Sequence, residues 1–320
     1  MAMQGKSLLR PNVNRARRSR YLFCISMAAI PVLQFILIYL GARTQSFLLA
    51  FQHYEDSVSG NGYDITFAGF DNFLQAFEQL KTHSSAISNS VVLFLFTTIL
   101  GTVLALAFSF YIYKQYVASG LFKTMLFMPQ VISSLIFAII FKYLVNRGYP
   151  FLVEKFTSEK VAGLLNDPNT RFATIIFFNI WVSFGVNVLL YSGAMSGVNE
   201  SVVESAMLDG ANILQEFIHI TIPLIYPTVV TFLVINLSGV FTNMYAALDL
   251  MGTKATEIHN LGSWLYSKAE RAMSERIWTE QFREVNYSVL SAIGLILTAI
   301  VFPAVTVIKK LLEKYGPSVD

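Results

Sequence analysis

The chain has 320 residues, 54% of them hydrophobic and 13% charged, with 27 Phe, one Cys and a formal net charge of +3. Soluble domains carry roughly 25% charged residues. Halving that share excludes an ordinary soluble protein and matches a chain in lipid, where no water solvates ions. The net charge is too small to point to nucleic acid, and the lone cysteine, Cys24, excludes an internal disulfide and reads as a small apolar side chain facing lipid or core.

In chain order, residues 1–20 form a basic tail, with Lys6, Arg10, Arg15, Arg17, Arg18 and Arg20 and no acid. Six apolar runs follow, each long enough to cross a bilayer as a helix that closes its own backbone hydrogen bonds. They are 21–42, 86–113, 121–145, 172–195, 222–248 and 287–308. The third carries Lys142 near its end, placed to snorkel to the interface. The other five hold no Asp, Glu, Lys or Arg. The first run exceeds the 7–15 residues, roughly, of a cleaved signal sequence, so a retained anchor is expected.

The connecting segments are polar. Residues 43–85 include HYEDSVSGNGYD, a loop composition. Residues 146–171 and 249–286 mix charges of both signs, and LGSWLYSKAERAMSERIWTEQFREVNY suits an amphipathic helix near the surface. Basic residues divide 11 to 12 between the two sides and do not decide orientation by count. The first helix usually dominates; its tail is basic, and the loop after it holds only Arg43 and Lys81. Both termini are therefore expected in the cytoplasm. The expected fold is all-α: a cytoplasmic tail at 1–20, a first transmembrane helix and extracellular loop at 21–85, a transmembrane core at 86–310 and a cytoplasmic tail at 311–320.

Between the fourth and fifth runs stands ESAMLDGANILQEFIHITIPLIYP, with three acids and no Lys or Arg. ESVVESAMLDG reads as a short helix with Gly210 just past its end, where a left-handed backbone favours glycine. Asn212 is placed to cap a second helix, NILQEFIHI, and Pro223 to open the next span. Residues 198–221 thus form an elbow at the cytoplasmic face. Its small residues Ser205, Ala206 and Ala211 admit a close neighbour, as in a helix seated in a partner's groove.

This stretch resembles the cytoplasmic signature loop of binding-protein-dependent ABC importer permeases: Glu-Ala-Ala, three residues, Gly, about nine residues, then an apolar residue and Leu-Pro. Glu204, Ala206, Asp209, Gly210, Ala211, Ile220, Ile222, Pro223 and Leu224 occupy those places, with Ser205 at the first Ala and Ile222 at the Leu. FKTMLFMPQVISSLIFAIIFKYL is similar to the F-R-x-x-x-F-L-P stretch of carbohydrate importer permeases. FNIWVSFGVNVLLYSGAMSGVNESVVESAMLDGA and LGSWLYSKAE also resemble their segments, with Asn199 where a proline is usual. DLMGTKATE replaces the usual Thr-x-Gly-Gly-Pro, so the extracellular gate is expected to be built differently. The likeness covers about 85–310 and is to the branch of the maltose importer's larger permease, without its large extracellular domain.

The resemblance implies that the elbow is a coupling helix, with Glu204, Ala206, Asp209, Gly210 and Ala211 seated in a cytoplasmic ATPase. It also implies a second permease, two ATPase subunits holding ATP and Mg, and an extracellular or periplasmic solute-binding protein. No cofactor and no metal is expected on this chain. It has no G-x-x-x-x-G-K-[ST] phosphate loop and no buried carboxylate to relay protons. Its energy is therefore expected from another subunit. Asn236, Val240 and Asn243 fall at i, i+4 and i+7, one helical face. By resemblance that face lines a sugar site, with Val182 and Val186 at sugar-facing positions and Asn187 beside them. Amides donate and accept, which suits hydroxyl-rich ligands; interhelical hydrogen bonding is the structural alternative for them.

His53, His83, His219 and His259 lack metal-ligand spacing, and no catalytic arrangement stands out. Three other readings stay open: a permease for another polar solute, an integral membrane enzyme, and a purely structural subunit. The first would be favoured by an intramembrane cation, and the second needs a catalytic cluster. The acidic elbow and the amides argue against the third.

Overall fold

A computed structural model describes residues 13–56, 63–252, 260–275 and 287–317. Both glycines of HYEDSVSGNGYD, much of DLMGTKATE with His259, and residues 276–286 lie outside the described residues. Among the described residues, six helices are long and apolar enough to cross a membrane. The first, α1 (Arg20–Leu49), passes Pro31 without ending and buries none of its most apolar stretch against the rest of the chain. A hairpin of β1 (Gln52–Asp56) and β2 (Tyr63–Phe67) follows, antiparallel with Gln52 opposite Phe67. Helix α2 (Asp71–Thr82) turns back beneath it, fixed by buried Asn72, which donates to the carbonyls of Ala50 and Gln52, each at 3.0 Å.

The second span is α3 (Ser84–Tyr113). After it the expected single helix over 121–145 is two. Helix α4 (Ser119–Val131) is closed by Ile132, whose ψ is 141°, and α5 (Ser134–Thr157) starts two residues later. Pro129 near the end of α4 has no N–H to give the helix. The third span is therefore α5, and α4 is a separate helix laid across α6 (Pro168–Met195). The crossing is close: a Cβ on Gly185 of α6 would collide with the Leu126 carbonyl of α4.

Helix α7 (Glu200–Leu208) leads into α8 (Ile213–Ser238). The expected run to 248 stops at Ser238. The backbone turns through 239–246 before the short α9 (Ala247–Met251). Helix α10 (Leu261–Glu275) and the last span α11 (Tyr287–Tyr315) complete the chain.

Three apolar clusters hold these helices together. One joins Phe137 and Phe141 of α5 to Phe178 of α6 and Leu250 of α9. A second joins Ala76 and Leu80 to Trp264, Val289 and Ile293. The third gathers Phe110, Tyr191, Met195, Ile225 and Val229 at the end of the bundle from which α7 projects. Outward-facing apolar side chains on α1, α4 and α5 are what lipid contact requires.

Candidate functional site: the two ends of α8

One end of α8 is the elbow. Asn199 opens α7 by accepting the Ser201 N–H at 3.1 Å. The helix closes at Asp209, and Gly210 follows with φ +84°, a conformation that any side chain would strain. Asn212 then caps the next helix reciprocally with Gln215. Its side chain accepts the Gln215 N–H at 2.9 Å, and Gln215 Oε1 accepts the Asn212 N–H at 2.9 Å. Pro223 does not begin the span as expected. The helix runs on from Ile213 through a π-turn at Phe217–Thr221, and the widened turn accommodates the missing proline N–H just beyond it.

The elbow's surface mixes two chemistries. Glu204, Asp209 and Gly210 are exposed, whereas Ala206 and Ala211 are half-buried beneath them. Around the acids stand Val202, Met207, Ile213, Leu214 and Leu208, the last 90% exposed. Val203 points inward. The sequence reading missed the third acid of the stretch: Glu216 is buried at the elbow's root and pairs with Lys114 at the end of α3.

The other end of α8 is unwound. Asn236 is exposed in the last helical turn, but Val240 and Asn243 lie beyond it, so the three do not share a helical face. Val240 is buried and Asn243 exposed. Asn243 spends its side-chain oxygen on the Tyr245 N–H at 2.8 Å, and its carbonyl accepts from the Asn260 amide. Tyr245 and Ala246 both have positive φ. Asn179 of α6 donates to the Tyr245 carbonyl at 2.8 Å, and the Leu261 N–H donates to Ser90 Oγ at 2.7 Å. The unwound backbone thus finds partners in Asn179 of α6 and in Asn260 just ahead of α10, and Ser90 of α3 holds the start of α10. Non-helical backbone at membrane depth is tolerated where it is buried in protein or lines a cavity. Val182, Val186 and Asn187 are half-buried on α6, on either side of Gly185 where α4 crosses. The Gln130 side chain of α4 donates to the Val182 carbonyl. Asn179, Gln130 and Asn260 went unnoticed in the sequence because their partners lie 17 to 66 residues away.

The two ends are 26 residues apart, about 39 Å at the helical rise. That is enough to put one at a membrane face and the other well inside or beyond the lipid core.

The family model described as the inner membrane component of binding-protein-dependent transport systems matches residues 97–315, a stretch that includes both ends of α8. The chain belongs to that family. The probable ABC transporter permease protein YurN of Bacillus subtilis is 28% identical over 269 residues, 80% of this chain and 87% of YurN. The sn-glycerol-3-phosphate transport system permease protein UgpA of Escherichia coli is 26% identical over 197 residues, 60% of this chain and 65% of UgpA. Among solved structures, a chain of a bacterial alginate ABC transporter in complex with a periplasmic protein bound to an alginate pentasaccharide superposes with a TM-score of 0.72. That match has 20% identity and covers 95% of this chain and 97% of the other. A second structure, of a bacterial ABC transporter importing alginate, has a TM-score of 0.72 at 19% identity, over 96% and 99%. The all-α permease fold with six spans is thereby established, as is a membrane transport subunit of the binding-protein-dependent kind.

Proposed function

We infer that this chain is a permease subunit of an ATP-driven importer that carries a sugar or oligosaccharide across the cytoplasmic membrane. The observation that carries the reading is the elbow. Two helices capped about Gly210 present exposed acids and apolar side chains between spans, in a chain of this transport family. Such a surface suits a groove with an apolar floor and a basic rim. The groove is assigned to an ATPase subunit, which holds the ATP and Mg and does the hydrolysis; two copies of it, a second permease and a solute-binding protein complete the assembly. The basic tail supports placing the termini and the elbow in the cytoplasm. The last turn of α8 with Asn236 and the unwound segment with Val240 and Asn243 then stand on the substrate path, with Val182, Val186 and Asn187 near the α4–α6 crossing. Sugar as cargo is supported by this amide chemistry and by the alginate transporters that share the fold. UgpA, named for sn-glycerol-3-phosphate, favours a small phosphorylated polyol as the second reading.

The test is co-purification of the chain with its neighbouring gene products, then ATP hydrolysis in nanodiscs with binding protein and candidate oligosaccharides or glycerol phosphate. Stimulation by a loaded binding protein is expected, and the stimulating solute names the cargo. Failure of any ATPase subunit to associate in gentle detergent would overturn the coupling assignment.

A further inference from the structure

Glu216 Oε1 stands 2.6 Å from Lys114 Nζ, with the two side chains 2% and 16% exposed. Lys114 terminates α3, its N–H donating to the Phe110 carbonyl at 2.9 Å, while Glu216 lies in the first turn of α8. Each charge therefore meets the favourable end of its own helix dipole. Aromatic side chains sheathe the pair. The ammonium is 5.8 Å from the Phe110 ring centroid and 5.7 Å from that of Tyr113, and the Phe110 and Phe217 rings are 4.8 Å apart.

A buried ion pair is weak evidence of a stabilising role, because apolar side chains of similar volume often hold a fold as well or better. What it does differently is mechanical. Apolar surfaces slide over one another, whereas a short ion pair with a buried carboxylate fixes a distance between two elements, even though Glu216 Oε1 lacks the geometry of a hydrogen bond here. Movement of the elbow reaches α8 through continuous backbone. It meets α3, more than 100 residues earlier in the chain, through apolar packing of Leu106 and Phe110 against α6 and α8 and, in a contact of fixed length, at this pair.

We propose that Lys114–Glu216 is a fixed pin through which displacement of the elbow is carried into α3. Lys114 and Glu216 are positioning residues, and the proposal rests on the reading that an ATPase docks on the elbow. The test uses the assembly purified with its ATPase, in a Cys24→Ser background. Paired spin labels at Ser201→Cys, exposed on α7 away from the apolar tip, and at Tyr315→Cys report the elbow, and a pair at Val103→Cys and Phe302→Cys reports α3. Distances are read with and without ATP and vanadate. In the otherwise wild-type assembly both pairs shift. In Lys114→Met/Glu216→Met the elbow shift remains and the α3 shift is lost; Lys114→Arg, which keeps the ion pair, retains both. Should the double variant fail to assemble, Glu216→Gln is expected to give the same separation with the smallest change of shape. An α3 shift undiminished in these variants would reduce the pair to packing and overturn the proposal. An elbow that nucleotide does not move in the wild type would overturn the docking reading and the pin with it.

Discussion

The two ends of α8 are built in opposite ways. At the elbow every cap is local: Asn199 serves Ser201, Asn212 serves Gln215, and Gly210 turns the chain with its own backbone. At the unwound end the backbone is held from a distance, by Asn179 on α6 and by Asn260 just ahead of α10, whose first N–H is held in turn by Ser90 on α3. A self-sufficient elbow can move as a unit when a partner pushes it. An unwound segment held by side chains from outside it changes only when those neighbours change. On the proposed reading the elbow is a handle and the unwound end a gate, and the substitutions below are chosen to tell the two apart.

The largest effect is expected at Gly210. Proline needs φ near −65°, whereas this backbone stands at +84°, so Gly210→Pro must break the elbow. Binding-protein-stimulated ATP hydrolysis should fall by more than about tenfold, the equivalent of roughly 1.4 kcal/mol. The chain should still insert and fold, because the elbow's cap hydrogen bonds are local. A variant that keeps wild-type stimulation would remove the handle from the comparison. Next is Gly185→Leu at the α4–α6 crossing, where a side chain meets the Leu126 backbone. Overpacking of this kind costs about 1–3 kcal/mol. The melting temperature in detergent should drop, and the path side near Val182 and Val186 should be disturbed while the elbow stays intact. An unchanged melting temperature would mean that the two helices do not meet as described.

This difference also explains what the sequence disclosed. The elbow was legible because caps and a left-handed glycine are read within a few residues: Gly210 and Asn212 stand where local chemistry demands them. Six long apolar runs were legible for the same reason. The end of α8 was not. Residues 239–246 are apolar enough to continue a helix, and only the long-range partners of Tyr245 and Asn243 reveal that they do not. The break at Ile132 was hidden likewise by hydrophobic continuity across α4 and α5. Nothing in its own stretch marks Glu216 as buried and paired, because its partner is far away in sequence. Periodicity locates helices, but it does not report which polar atoms another element will claim.

A moderate effect is expected at Asn179. Leucine there leaves the Tyr245 carbonyl without its partner from α6, at a cost of about 1–3 kcal/mol if the group stays buried. The unwound segment should loosen. Solute dependence of stimulated hydrolysis should shift to higher concentration, while the amount of ATPase co-purified stays constant. Loss of ATPase binding instead would show that the gate and the handle are not separable.

The smallest effect sharpens the handle itself. Glu204 and Asp209 are exposed, and exposed ion pairs contribute little and are screened by salt. Glu204→Gln with Asp209→Asn should weaken ATPase association about two- to threefold at low ionic strength and leave it nearly unchanged near 1 M salt, where the Debye length is about 3 Å. The apolar side chains of Met207, Leu208 and Leu214 should carry the rest, so Leu208→Ser ought to cost more than both acids together at every salt concentration. The reverse order would make the elbow an electrostatic latch, and its acids, in place of its apolar tip, the feature that selects the partner.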